Sequence, residues 1–100
     1  MPRYNVKYNG KWACFSSIPD GFITPLMKKA DYEMWRMQEY SPDGYTPAEK
    51  CNTMTMANAV FAASLNRSYE ETISRLLETG LDRDEVVSLV DVHGLKLNKE

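Results

Sequence analysis

The sequence predicts an α+β fold: an N-terminal three-stranded antiparallel β-meander packed against three to four short α-helices. Three observations predict it. Alternating apolar and polar residues flank the dipeptide Asn9-Gly10, a Pro19-Asp20-Gly21 turn follows the second alternating run, and from residue 29 the period becomes helical, with capping residues at the joints. One hundred residues fit one domain. The meander is expected over 3–27, a helix over 29–40, and a helical part over 47–94 that ends in an acidic helical hairpin.

A type I′ turn needs positive φ at both central residues, and Asn-Gly tolerates that best. With these two as the loop, Tyr8 faces Lys11, Val6 faces Ala13 and Tyr4 faces Phe15 on one side of the hairpin. Lys7 then opposes Trp12, and Asn5 opposes Cys14, on the other. The Tyr4, Val6, Ala13, Phe15 side is the more apolar and is expected to meet the core. Trp12 falls on the far side, in reach of Lys7 for a cation–π contact. After Ile18-Pro19-Asp20-Gly21, Phe22 to Thr24 reads as a third strand that returns antiparallel to the second. Pro25 ends it or keeps it at an edge, since proline cannot donate to a ladder.

Over 29–40, Ala30, Met34 and Met37 form a stripe at i, i+4, i+7. Tyr32 and Trp35 lie ~140–200° around from it. The helix is therefore apolar on two sides, and a sheet covers only one. Ser41-Pro42-Asp43-Gly44 breaks the chain, and Thr46-Pro47-Ala48-Glu49 is a capping box with proline at the first helical position. Thr55 is placed to cap a helix over 56–65, apolar nearly all round and so expected to be central and buried, with Asn66 ending it in the left-handed region. Ser68 to Glu71 is a second capping box. Tyr69, Ile73, Leu76 and Leu77 make the inner stripe of that helix, and Gly80 stops it. Asp82 to Glu85 is a further capping box that opens the last helix, Val86, Val87, Leu89 and Val90 fill its inner side, and His93-Gly94 closes it. The tail from Leu95 either docks as a strand or frays.

Charge narrows the function classes. Net charge is −2, unevenly spread: residues 66–94 hold Arg67, Arg75 and Arg83 against seven Asp and Glu. Proteins that grip phosphates need the opposite sign, so direct nucleic-acid binding is disfavoured. No apolar run approaches the ~20 residues of a membrane span, and the opening residues lack the apolar core of a secretory signal. The expected location is cytoplasmic. Cys14 and Cys51 read as separate thiols there, and two cysteines with a single histidine do not make a zinc site.

Candidate chemistry is sparse. His93 beside Asp91 reads as a helix C-terminal histidine that interacts with the dipole. Asp82, Asp84 and Glu85 lack the spacing of a calcium loop and serve the helix start instead. Met34 and Met37 read as adaptable core filler, with a partner surface as the other reading. No phosphate-binding glycine loop or nucleophile elbow is present, and no cofactor is expected.

The stretch Ile73 to Val87, with Thr79-Gly80-Leu81 at its turn, is similar in spacing to helix-turn-helix modules and to the ubiquitin-associated domain. The first resemblance implies a basic recognition helix in a DNA groove, but this helix carries Asp84, Glu85 and Asp91 against Arg83. The second implies a third helix, for which residues 95–100 are too few. Neither carries a function over.

The expectation is therefore a small non-enzymatic interaction protein, a regulator, adaptor or inhibitor. Two surfaces are candidates. An aromatic face of Tyr32, Trp35 and Trp12 would meet a partner or a second copy of the chain. An acidic surface of Glu70, Glu71, Glu78, Asp84, Glu85 and Asp91 would meet a basic partner. The alternative is a ligand binder or enzyme with a pocket between sheet and helices, lined by Tyr4, Trp12, Trp35 and Cys14 or His93.

Overall fold

The hairpin forms as its turn dictates. In a computed structural model, which describes residues 3–17, 20–39 and 52–94, Asn9 and Gly10 take φ of 51° and 77°. They join β1 (Arg3–Tyr8) to β2 (Lys11–Ser16). The register is the expected one, with Tyr4 opposite Phe15, Val6 opposite Ala13 and Lys7 opposite Trp12. The third strand, β3 (Gly21–Phe22), pairs antiparallel with Ser16 and Phe15. It is shorter than expected. At Thr24 the side-chain hydroxyl, not a backbone carbonyl, accepts the Cys14 N–H at 3.0 Å, and the strand cannot continue into Pro25. The chain rejoins β2 at Met27, which exchanges two backbone hydrogen bonds with Trp12, of 2.7 and 2.8 Å.

A fourth strand, outside the expected meander, joins the sheet. After α1 (Lys29–Glu39), β4 (Thr53–Met54) pairs parallel to β1 at Asn5 and Val6. The sheet is therefore mixed, in the order β3-β2-β1-β4. Two residues, one of them a threonine, are too few to show the alternation by which a strand is read.

The helices follow their caps. Thr55 accepts the Asn58 N–H at 3.1 Å to start α2 (Met56–Ser64), and Asn66 sits at φ 61° beyond its end. Ser68 and Glu71 form the full capping box of α3 (Tyr69–Leu77), and Gly80 takes φ 91° after it. Asp82 caps α4 (Arg83–His93) through the Glu85 N–H at 2.8 Å. The box expected there is only half formed, because the Glu85 carboxylate instead accepts the Tyr8 hydroxyl at 2.5 Å. That bond ties the hairpin to the start of α4. Adjacent residues at the start of α3 reach two parts of α4: Tyr69 donates to Asp91 at 3.0 Å, and Glu70 pairs with Arg83 at 3.3 Å.

Each face of the sheet has its own core. Val6, Ala13, Phe15 and Phe22 pack with Met56, Val60, Ile73, Leu76, Val86 and Val90 from α2, α3 and α4. Phe15 and Phe22 meet edge to face at 5.4 Å. On the opposite face Trp12 and Cys14 pack with Tyr32 of α1, flanked by Met27 and Trp35. The sheet thus lies between α1 and the other three helices. Buried hydroxyls on the helical side are satisfied locally: Ser64, Thr72 and Thr79 donate to carbonyls three or four residues back. Among the described residues no buried side-chain nitrogen or oxygen lacks a partner, so none incurs the ~1–3 kcal/mol cost of an unsatisfied group.

Two packing expectations are corrected. α2 touches β1, β3, α3 and α4 and is central, but Phe61 on its outer side is 44% exposed. Met34 and Met37 are not core filler; both are exposed. The break at 41–44, the capping box at 46–49, Cys51 and the tail from residue 95 lie outside the described residues. None of the described helices is long and apolar enough to cross a membrane.

Candidate functional site

The site begins with the far face of the hairpin. Alternation sends Asn5, Lys7, Trp12 and Cys14 to the side away from the larger core. Trp12 and Cys14 are apolar and require cover, and α1 is the element that supplies it. Its start is fixed nearby by the Trp12–Met27 backbone bonds. At its end Arg3 pairs with Glu39 at 3.3 Å.

Between those ties the helix buries an aromatic stack. Tyr32 lies between Trp12 and Trp35, with centroids 6.2 and 5.9 Å away and planes within 18° and 17° of parallel. Its hydroxyl donates to Asn5 Oδ1 at 2.5 Å, so both ends of this amphipathic ring are satisfied. Lys7 Nζ sits 5.6 Å from the Trp12 ring centroid on the outer side. Arg36, one turn after Tyr32, is also buried and lies 3.5 Å from Glu33. Burial pushes the Cys14 thiol up from its ordinary pKa, against a smaller opposing effect of its hydrogen bond with Tyr32. Cys14 is also buried, whereas a nucleophilic thiol needs a lowered pKa and access.

This docking fixes which side of α1 faces outward. Tyr32 and Arg36 point at the sheet, so Ala30, Met34 and Met37, about half a turn away, point at solvent. Met34 is 60% and Met37 56% exposed. The two-sided helix is thereby resolved in the opposite sense to the expected one: the aromatic side is inside and the methionine stripe is outside.

The expected aromatic face is accordingly turned largely inward. Tyr32 is wholly buried, Trp12 nearly so, and Trp35 is half-buried. These residues position α1 and leave the stripe exposed. The stripe was visible as a pattern, but a heptad-like spacing does not say which side of a helix faces in. The usable signal was elsewhere. Trp12 and Cys14 on the second hairpin face needed an apolar cover, and Tyr32 with Trp35, i and i+3 on the next helix, offered one.

The acidic residues are placed differently from one another. Glu70, Glu71, Glu78, Asp84 and Asp91 are exposed, and Glu85 is half-buried under Tyr8. The hydrogen bond to Glu85, reinforced by burial and by the carboxylate charge, raises the Tyr8 pKa. Glu70 and Glu71 line a shallow depression of about 440 Å³ together with Arg67, Ser74 and Arg75. Arg67 there donates to the Asp20 and Ala63 carbonyls, both at 2.7 Å. Positive charge is thus interleaved at the start of α3, and Arg83, paired with Glu70, also stands beside Asp84.

The pocket expected between sheet and helices is not assembled. Tyr4 projects from the opposite face of β1 to Asn5, and hence away from Trp12 and Cys14. His93 ends α4, which packs on the other side of the sheet from Trp35. Trp12 instead borders an open groove of about 400 Å³ with Asn5, Lys7, Thr53, Met54, Thr55 and Asn58. No group of three or more His, Cys, Asp or Glu among the described residues could hold a metal ion. No family model, curated protein or solved structure gives a significant match to the chain.

Proposed function

We propose that the chain is a non-enzymatic protein-interaction module, acting as a regulator, adaptor or inhibitor, and that its contact surface is the outer side of α1. The observation that supports this reading is the outward Ala30, Met34, Met37 stripe on a helix whose other side is pinned to the sheet. Anchors at i, i+4 and i+7 are the spacing by which a helix enters an apolar groove. Methionine suits such a surface because its flexible thioether adapts to the partner. The partner in this reading is another protein with an apolar groove. The stripe of two methionines and an alanine is small beside the ~800 Å² per partner of a standard interface, which weighs against a homodimer formed through it alone. A cytoplasmic location belongs to the same reading, supported by the free thiol of Cys14.

The acidic surface around Glu78 and Asp84 is the second reading, favoured by their exposure on adjoining elements. The two are separated by affinity capture at ~50 and ~300 mM salt, which span weak and strong screening. The baits are the wild type, Met34→Glu/Met37→Glu and Glu78→Lys/Asp84→Lys, each checked for folding by circular dichroism. A partner lost with the methionine variant at both salts fits the proposal. A partner lost only with the charge-reversed variant, or at high salt, sinks it in favour of the acidic surface.

A further inference from the structure

We draw no further inference here: the strongest candidate, the open groove of about 400 Å³ between β1, β2, β4 and the start of α2, carries nothing, because Lys7, the one charged residue lining it among the described residues, already lies over the Trp12 ring and nothing in the structure shows what covers it.

Discussion

Replacing Tyr32 tests whether α1 docks by its aromatic side. The ring is fully buried between two tryptophans, and its hydroxyl holds Asn5. Tyr32→Ala removes the whole stack and leaves a cavity, a class of change that costs about 3–5 kcal/mol. Tyr32→Phe keeps the ring and removes only the hydroxyl with its bond to Asn5 Oδ1, a loss of about 0.5–1.5 kcal/mol. Met34→Ala, on the exposed side, should stay within about 0.5 kcal/mol of wild type. Against a total stability of order 5–15 kcal/mol, the first change is severe and the last barely visible. Urea unfolding followed by tryptophan fluorescence reads all three, with midpoints compared at constant m-value. The order Tyr32→Ala, Tyr32→Phe, Met34→Ala must descend. If Met34→Ala costs more than Tyr32→Phe, the helix is docked by its methionine stripe and the account of the site is wrong.

Ser68→Ala removes one half of the α3 capping box and should cost ~1 kcal/mol, a fall of about 4–8 °C in Tm for a domain of this size. At Gly94 a Cβ would lie 2.7 Å from the Val90 carbonyl oxygen, so Gly94→Ala should destabilise although φ there is an ordinary −69°; an unchanged denaturation midpoint would show that the end of α4 yields freely. The Tyr8 pKa is raised in the fold, so its contribution to stability is complete below the unfolded value of ~10 and is lost as pH rises through the folded one. Ultraviolet titration should show one tyrosine ionising later than in Tyr8→Phe, and Glu85→Gln should bring it back down. In a Cys51→Ser background, Cys14 should react with a thiol reagent only as fast as the protein opens, and rapid labelling under native conditions would contradict its burial.

Legibility in the sequence followed how local the cause was. The hairpin register was fully readable because Asn9-Gly10 sets it within a few residues. The α2 and α3 N-caps were readable for the same reason, since a cap is a contact between a side chain and an amide three positions on. The parallel β4 was not, because its pairing with β1 joins residues 48 apart through a two-residue strand. The half-formed box at Asp82 failed through competition: Glu85 finds Tyr8, a partner 77 positions away. The orientation of α1 also depended on distant residues. Its stripe is plain in the spacing, but which side turns inward is decided by Trp12 and Asn5 on the hairpin. Gly94 was read correctly as a stop, though steric room at Val90, not positive φ, is what a side chain there would violate.

The central claim is that the outer side of α1 is both open and used. Methionine oxidation by dilute peroxide, read by peptide mass spectrometry, tests both parts in one experiment. In the isolated protein Met34 and Met37 should oxidise readily, while Met56, 7% exposed, is protected until unfolding. In complex with the captured partner both should become protected. Slow oxidation of Met34 and Met37 in the free protein, or unchanged oxidation in the complex, would contradict the account.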